Sequence, residues 1–240
     1  TDSGLVVLNL NDPRKPAVAT SLPLRDMRSS ALQFRYLFVT TAEGLQVVDV
    51  THPEKVALVE TAKVPLANAR SVYVARTYAY VAAGKDGLVI VDVEKPHAPV
   101  ELTRYTADGK LNDAQDVMVG ATNASLFAYV ADGVNGLKVL QLTSPDSQPK
   151  FYGFSPEPKP QLIAWRQTAS RALSLAKGLD RDRGVDETGG QIAVFGRIGS
   201  RPFNRDEMKR FYLNPDGSLW TVRDEIDRAA FRATAKVEAK

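Results

Sequence analysis

The sequence predicts a β-propeller, an all-β fold of four-stranded antiparallel blades, with a short helical C-terminal elaboration. A run that opens on glycine and continues with apolar, largely β-branched residues recurs along the 240-residue chain. Its copies begin at Gly4, Gly44, Gly87, Gly136 and, in a weaker form, Gly190, at intervals of 40, 43, 49 and 54 residues. Short strands that repeat at roughly this interval are typical of propeller blades.

The third blade shows the predicted unit most clearly. Residues 67–75 and 77–83 predict two strands joined by a tight turn, and the glycine turn at 84–87 leads into a third strand, 88–93. That strand is rich in valine and isoleucine, which favour strands. A Pro-rich loop follows it, and residues 99–105 predict the fourth strand. Four consecutive strands of this kind form an antiparallel meander.

The same pattern predicts the strands of the other blades. They are 5–10 and 17–23 in the first blade, 29–34, 36–40, 45–50 and 55–61 in the second, 114–120, 125–131, 137–142 and 149–154 in the fourth, and 161–165, 171–175 and 190–196 in the fifth. The propeller then spans 1–222, with blades near 1–24, 25–66, 67–110, 111–157 and 158–222, before a helical or extended tail at 223–240.

The first blade has only two predicted strands, so closure of the ring needs two more. The candidates are sequence before Thr1, or residues 218–222 folding back. Because the repeat is already half complete at Thr1, we expect the first source, and hence a processed or partial chain. Residues 204–213 predict a short helix, since Asn204 is a favoured N-cap residue and acids precede bases along the segment.

Composition excludes several classes of function. The chain has no cysteine, which rules out disulfides, thiolate metal sites and covalently attached c-type haem within it. Its net charge is only +3, and no basic stripe with interleaved aromatic residues indicates nucleic-acid binding. No window approaches the roughly 18 apolar residues of a membrane helix. The lack of cysteine fits an extracytoplasmic protein of the periplasm, the cell surface or the secreted fraction, and a cytosolic protein that lacks cysteine is the open alternative.

One run carries a family resemblance. Leu88–Asp92 reads LVIVD, with Tyr78–Ala82 before it and the Pro-x-x-Pro loop at 96–99 after it. This pattern resembles the LVIVD-repeat family of bacterial and archaeal cell-surface propeller proteins, and the resemblance covers about residues 1–155. It implies an exported propeller, and some members of the family occur fused to, or beside, multihaem cytochromes. It implies no catalytic residues.

The first strands of a propeller line its central channel, so polar residues near their starts are candidate binding residues. Aligning the blades on their second strands places four of them at equivalent positions, with two acids close by: Arg28, Arg70, Gln115 and Gln161, with Asp113 and Asp116. One interpretation is a polar ring at the channel mouth that binds an anionic group or a partner's side chain. The alternative, which we favour, is a set of polar strand ends satisfied by water.

A second candidate lies in the predicted insertion of the fifth blade. Its acids are Asp180, Asp182, Asp186 and Glu187. Alternating carboxylates are typical of calcium loops, but Gly184 replaces one ligand and two arginines neutralise the acids, so a salt-bridged loop is the better interpretation. Calcium therefore stays an open alternative, and no other cofactor is expected. His52 and His97 fall in equivalent Pro-rich loops and are interpreted as turn residues.

Two functions follow from these observations. The first is a non-enzymatic, exported propeller whose rim loops or channel mouth bind a protein. The partner suggested by the resemblance is a multihaem c-type cytochrome or another surface protein. The alternative is a metal-dependent hydrolase of the lactonase kind, with its metal in the channel. The predicted ring of arginine and glutamine argues against that alternative, because it would repel a cation.

Overall fold

Four antiparallel sheets lie in the first of the two units into which the chain divides, Thr1–Ala176, and the second unit is Lys177–Lys240. The computed structural model describes residues 4–122, 125–145, 155–176, 183–185, 191–193, 197–198, 201–202 and 204–218. Sheet 1 pairs β1 (Leu5–Asn9) with β2 (Ala17–Leu22). Each of the other three sheets has four strands in chain order.

Except for the last strand of sheet 4, the strands of these three sheets follow the predicted meander closely. Sheet 2 contains β3 (Ser29–Gln33), β4 (Tyr36–Thr41), β5 (Gly44–Asp49) and β6 (Ala57–Pro65). Sheet 3 contains β7 (Ser71–Ala75), β8 (Tyr78–Ala82), β9 (Leu88–Asp92) and β10 (Val100–Tyr105). Sheet 4 contains β11 (Asp116–Thr122), β12 (Ser125–Ala131), β13 (Leu137–Thr143) and β14 (Gln161–Arg166).

Sheets 2, 3 and 4 pack face to face in chain order. Strand β9 shows why its sequence is apolar without interruption: Val89 and Val91 enter the core shared with sheet 2, whereas Leu88 and Ile90 enter the core shared with sheet 4. A strand that is buried on both faces needs apolar residues at successive positions. The first strands β3, β7 and β11 are neighbours. The prediction of an all-β, propeller-like fold of four-stranded blades is confirmed.

The recurring glycine has a steric cause. Gly44 has φ +123°, and a Cβ placed on it would lie 2.1 Å from the carbonyl oxygen of Val64 on the fourth strand of the sheet. A side chain is excluded both by the space and by the backbone conformation. The glycines that precede the third strands of the other sheets approach fourth-strand carbonyls in the same way: Gly4 to Leu22, Gly87 to Tyr105 and Gly136 to Arg166.

The last strand of sheet 4 corrects the prediction. Residues 161–165 were expected to open the fifth blade, but β14 pairs with β13 and is therefore the outer strand of sheet 4. Leu162 packs against the core between sheets 3 and 4, and its N–H donates to the Tyr105 hydroxyl at 2.8 Å. The connection from β13 to β14 is longer than in the other sheets, so counting residues along the chain misassigns the strand. The predicted strand 149–154 lies outside the described residues.

The described parts of the second unit are short. Strand β15 (Arg183–Val185) pairs with β16 (Gln191–Ala193), and β17 (Arg197–Ile198) pairs with β18 (Arg201–Pro202). Helix α1 (Arg205–Tyr212) is confirmed together with its cap. The Asn204 side chain accepts hydrogen bonds from the backbone N–H groups of residues 206 and 207, and the Glu207 carboxylate accepts one from the backbone N–H of Asn204. The predicted tail at 223–240 lies outside the described residues.

Candidate functional site

Three of the four predicted ring residues occupy equivalent places. Arg28, Arg70 and Gln115 each precede the first strand of their sheet, and each backbone N–H donates to the carbonyl near the end of the second strand. The acceptors, at 2.8, 2.8 and 2.7 Å, are Thr40, Ala82 and Ala131. These residues therefore lie at one end of the sheets. Together with Asp113, Asp116, Asp132 and Arg171, they form what we term the polar end.

Gln161 does not belong to this end, because it lies at the start of the outer strand β14. The structure indicates which residue, in place of Gln161, is equivalent to Arg28, Arg70 and Gln115. Ala114 and Gly84 exchange both backbone hydrogen bonds, and Ala172 and Gly133 do the same one sheet later. Leu173, which follows Ala172, therefore takes the place equivalent to Gln115. The alignment from sequence failed here because it followed the misassigned strand.

Asp113 is the centre of the polar end. Its carboxylate accepts a hydrogen bond from the Gln115 side-chain amide at 2.5 Å and from the guanidinium groups of Arg70 at 3.4 Å and Arg171 at 2.8 Å. The side chain is only 20% exposed, so these contacts are partly shielded from water. One carboxylate thus joins three successive segments of the chain at this end. Two of its three donors, Arg70 and Arg171, are charged, and charged donors make the stronger hydrogen bonds.

Other side chains of the polar end also link neighbouring sheets by hydrogen bonds. The Arg28 guanidinium donates to Asp26 at 2.6 Å and to the Ala69 carbonyl, next to Arg70, at 2.9 Å. The Asp116 carboxylate accepts from the Ser71 hydroxyl at 2.5 Å and from the Leu175 N–H at 2.7 Å. The polar side chains therefore connect one sheet to the next. Ligand binding at the channel mouth stays a prediction.

Asp132 is the least exposed carboxylate of the polar end. Its side chain is fully buried, and one oxygen accepts from the Asp113 N–H at 2.7 Å. The other oxygen, Oδ2, has no hydrogen-bond partner among the described residues. Burial raises the pKa of Asp132, and the Asp113 N–H, the Asn135 side chain and the nearby charge of Lys138 oppose this only in part. Burial disfavours the ionised form of a carboxyl group.

The opposite end of sheets 2 and 3 is built differently. It comprises the turns 33–36 and 75–78 and the loop 93–97, which we term the hairpin end. Phe34 occupies the first central position of its two-residue turn with φ +53°, and its side chain is 94% exposed. The Gln33 side-chain amide donates to the Arg76 carbonyl at 2.6 Å and so links the two turns. Sequence inspection missed Phe34, although an aromatic residue in a two-residue turn is unusual.

A cavity of about 540 Å³ lies at the hairpin end. It is lined mainly by apolar surface, and its lining residues include Phe34, Tyr36, Val93 and Pro96, with Arg35, Arg76 and Glu94 as the charged members. His97 lies in the adjacent loop and bonds the Tyr36 hydroxyl through Nε2 at 2.8 Å, with the two rings edge to face. The interpretation of His97 as a loop residue is confirmed, with a contact to the neighbouring sheet in addition.

The candidate calcium ligands lie outside the described residues: Asp180, Asp182, Asp186 and Glu187. The described strand β15, Arg183–Val185, lies between the second and the third of them in the sequence. Within the described part of the chain, no three His, Asp or Glu side chains are grouped closely enough to hold a metal ion. No described helix is long and apolar enough to cross a membrane.

Comparison with known proteins gives one family. The LVIVD repeat matches residues 67–107 and 113–153, which contain sheet 3 and the first three strands of sheet 4. No curated protein matches the chain. A computationally designed protein, Ika4, is similar with 10% identity and a TM-score of 0.40, over 69% of this chain and 88% of its own. The N-terminal domain of Nup159 is similar with 9% identity and a TM-score of 0.36, over 63% of this chain and 34% of its own.

Proposed function

We propose that this chain, in which residues 67–107 and 113–153 match the LVIVD repeat, is a non-enzymatic β-propeller module that binds a protein partner outside the cytoplasm. The repeated blades serve as a scaffold, and the turns and loops at their ends meet the partner. Family association suggests a multihaem c-type cytochrome or another cell-surface protein as that partner.

The observation that carries this proposal is the use of the polar side chains at the polar end. Arg28 donates a hydrogen bond to the Ala69 carbonyl before sheet 3, and Arg70 donates one to the Asp113 carboxylate before sheet 4. Contacts of this kind hold sheets in fixed register, which gives the connecting turns a rigid base. A rigid base lowers the entropic cost of binding, because fewer side chains and loops have to be ordered when the partner arrives.

The absence of cysteine limits where covalently attached c-type haem could be bound in such an assembly. The chain has no thiol to which a c-type haem could be attached. Covalent c-type haem in such an assembly would therefore lie outside these 240 residues, and this chain would contribute position and contact surface.

Affinity capture tests the proposal. The tagged protein is expressed in its own cells, cross-linked lightly, purified and analysed by mass spectrometry and by haem absorbance. We expect one partner in a fixed molar ratio, which binds the purified chain again after separation. Capture without a stoichiometric partner, or turnover of a hydrolase substrate by the purified chain, would contradict the proposal.

A further inference from the structure

The last strand of sheet 2 contains an enlarged β-bulge. In sheets 1, 3 and 4 a single extra residue interrupts the pairing of the last two strands, shortly after the recurring glycine. In sheet 2 four residues, 59–62, lie between the residues paired with Gln46 and Val48, so they stand opposite Val47 alone. Bulges redirect side chains and are frequent beside active sites. The departure of sheet 2 from the repeat therefore marks this place as a candidate site.

A cavity of about 360 Å³ lies beside this bulge. Its lining combines residues of the bulge, among them Val59 and Ala62, with Gln46 on β5 and with Leu24 in the segment that connects sheet 1 to sheet 2. The volume falls within the range of pockets that hold small organic molecules. The enlarged bulge thus forms one wall of a space that is large enough for a small ligand.

Gln46 brings an unpaired carboxamide to this cavity. The residue is only 8% exposed, and no other described residue forms a hydrogen bond with its side chain. Val6 and Val89 occupy the equivalent position in sheets 1 and 3, and Lys138, in sheet 4, has the Asp132 carboxylate nearby. A buried amide without a hydrogen-bond partner lowers stability. A glutamine at this position therefore indicates a partner that enters the cavity.

The other polar groups deep in the cavity are already satisfied. Thr41 is buried too, but its hydroxyl donates to the Gly44 carbonyl at 3.4 Å and accepts from the Glu43 N–H at 3.1 Å. The Glu43 carboxylate is paired with Lys63, whose hydrogen bond holds the pKa of that carboxyl below its usual range. Recognition of a ligand inside the cavity therefore depends on the amide of Gln46.

The charges around the cavity are balanced. Lys63 and Arg25 are cationic, Glu43 and Glu60 are anionic, and all four residues are exposed. Arg25 lies close enough to Glu43 for its charge to lower the pKa of that carboxyl further. A balanced set of exposed charges attracts neither an anion nor a cation preferentially. The lining therefore favours an uncharged ligand.

We propose that this cavity binds a small, uncharged ligand that carries an amide group. A carboxamide offers two N–H donors and a carbonyl acceptor in one plane, and a second amide offers the complementary groups. The Gln46 carbonyl accepts from the ligand's N–H, the Gln46 amide nitrogen donates to the ligand's carbonyl, and Leu24 and Val59 contact its apolar atoms. The inference goes beyond the proposed function, because it involves neither the turns at the hairpin end nor a protein partner.

A ligand titration of the full chain by calorimetry tests this inference. N-acetylglucosamine and N-acetylalanine amide are the amide probes, one a sugar and the other a peptide unit. Glucose lacks the amide, and glucosamine replaces it with a charged amine. We expect saturable binding of at least one amide probe, with a Kd of about 1 mM or below and about tenfold tighter than glucose or glucosamine.

The better amide probe identifies the source of the amide, a sugar or a peptide. Equally tight binding of glucose or glucosamine would overturn the inference, since the amide would then not be what is recognised. A lack of saturable binding of both amide probes would also overturn it, and would leave water as the partner of Gln46.

Two variants assign the binding to Gln46. Gln46→Leu should weaken the better probe at least tenfold without lowering the melting temperature, because the amide has no partner in the chain to lose. Gln46→Glu, which keeps the size of the side chain, should also weaken it, because a carboxylate cannot donate to the ligand's carbonyl. Unchanged binding in either variant would place the ligand elsewhere and overturn the inference.

Gln33→Leu is the matched control. The Gln33 amide lies on β3 of the same sheet, outside the cavity lining, and donates to the Arg76 carbonyl at 2.6 Å. This variant should bind the probe as the parent does and should melt at a lower temperature, because it loses a hydrogen bond that exists in the chain. Weakened binding in Gln33→Leu as large as in Gln46→Leu would contradict the assignment to the cavity.

Discussion

The two ends of the same sheets differ in the polarity and the exposure of their side chains. At the polar end, charged side chains are matched from sheet to sheet, as Asp113 is by Arg70 and Arg171. At the hairpin end, an aromatic side chain on a strained turn is left in solvent at Phe34. Side chains at both ends connect neighbouring sheets, but the first central residue of the hairpin turn differs between blades, as Phe34 and Arg76 do.

The turns themselves show the same contrast. Close backbone approach fixes the glycine at the start of the third strand in sheets 2, 3 and 4, so the same residue occupies that position in each of them. The first central position of the hairpin turn also has positive φ, yet it holds Phe34 in sheet 2 and Arg76 in sheet 3. Steric exclusion allows only glycine before the third strand. The hairpin turn accepts larger residues at positive φ, at a cost in stability.

The largest effect is expected at a glycine of the polar end. In Gly87→Ala the new Cβ would lie 2.3 Å from the Tyr105 carbonyl oxygen, on a residue with φ +69°. The fourth strand would have to move, and we expect a loss of about 4 kcal/mol in the free energy of unfolding, measured by urea denaturation.

Gly109→Ala is the control for this prediction. Gly109 also has positive φ, +83°, but no atom lies within 4 Å of its added Cβ. Only the conformational cost remains, about 1 kcal/mol. Equal losses in the two variants would show that close approach is not the reason for the recurring glycine.

The second effect concerns the charged centre of the polar end. Asp113→Ala removes the acceptor that Arg70, Gln115 and Arg171 share. Because Arg171 is 53% exposed, water replaces part of the lost interaction, and we expect about 2 kcal/mol of destabilisation in thermal unfolding. Glu54→Ala, which removes an exposed contact to His52, should change stability by less than about 0.5 kcal/mol. A similar loss in both variants would mean that Asp113 does not hold the sheets together.

The contrast also explains what could be predicted from the sequence. The third strands and their glycines could be predicted from the sequence, because their steric requirement is local and recurs along the chain. The meander of sheets 2 and 3 followed from short turns, which fix strand pairing. Strand β14 was misplaced because the longer connection before it carries no such constraint.

The contacts of the candidate site residues were harder to predict from the sequence, because they form between different sheets. Arg28, Arg70 and Gln115 were aligned correctly, because the alignment depends on spacing within one sheet. The pairing of Asp113 with Arg171, 58 residues apart, depends on how successive sheets pack. Phe34 reads as an ordinary strand residue until its turn and its exposure are known. Contacts between sheets and strain in turns are properties of the three-dimensional structure.

The third effect is smaller and has the opposite sign. Phe34→Asn relieves the strain of the turn, so the free energy of unfolding should rise by about 0.5–1 kcal/mol. Leu32→Asn, on the strand beside it, relieves no such strain and should not stabilise the chain. Differential scanning calorimetry of both variants checks this, and a clear loss of stability in Phe34→Asn would mean that the ring supports the fold.

The smallest effect is a pH dependence at Asp132. Burial raises the pKa of this carboxyl group in the folded chain above its value in the unfolded chain. The folded state therefore binds the proton more tightly, and the stability linked to that proton is present at pH 4 and lost as the pH rises through the folded pKa. Asp132→Asn has no such proton, so we expect the variant to gain stability relative to the parent between pH 4 and pH 7. Urea denaturation of both chains at several pH values measures this difference.

The direction of that change bears on the polar end as a whole. Asn can still accept the hydrogen bond from the Asp113 N–H, so the variant alters the charge and keeps the contact. If instead the parent gained stability over the variant as the pH rose, the ionised carboxylate would be the favoured form and Lys138 would outweigh burial. Asp132 would then be a matched charge like Asp113, and the polar end would contain no incompletely paired acid among its described residues.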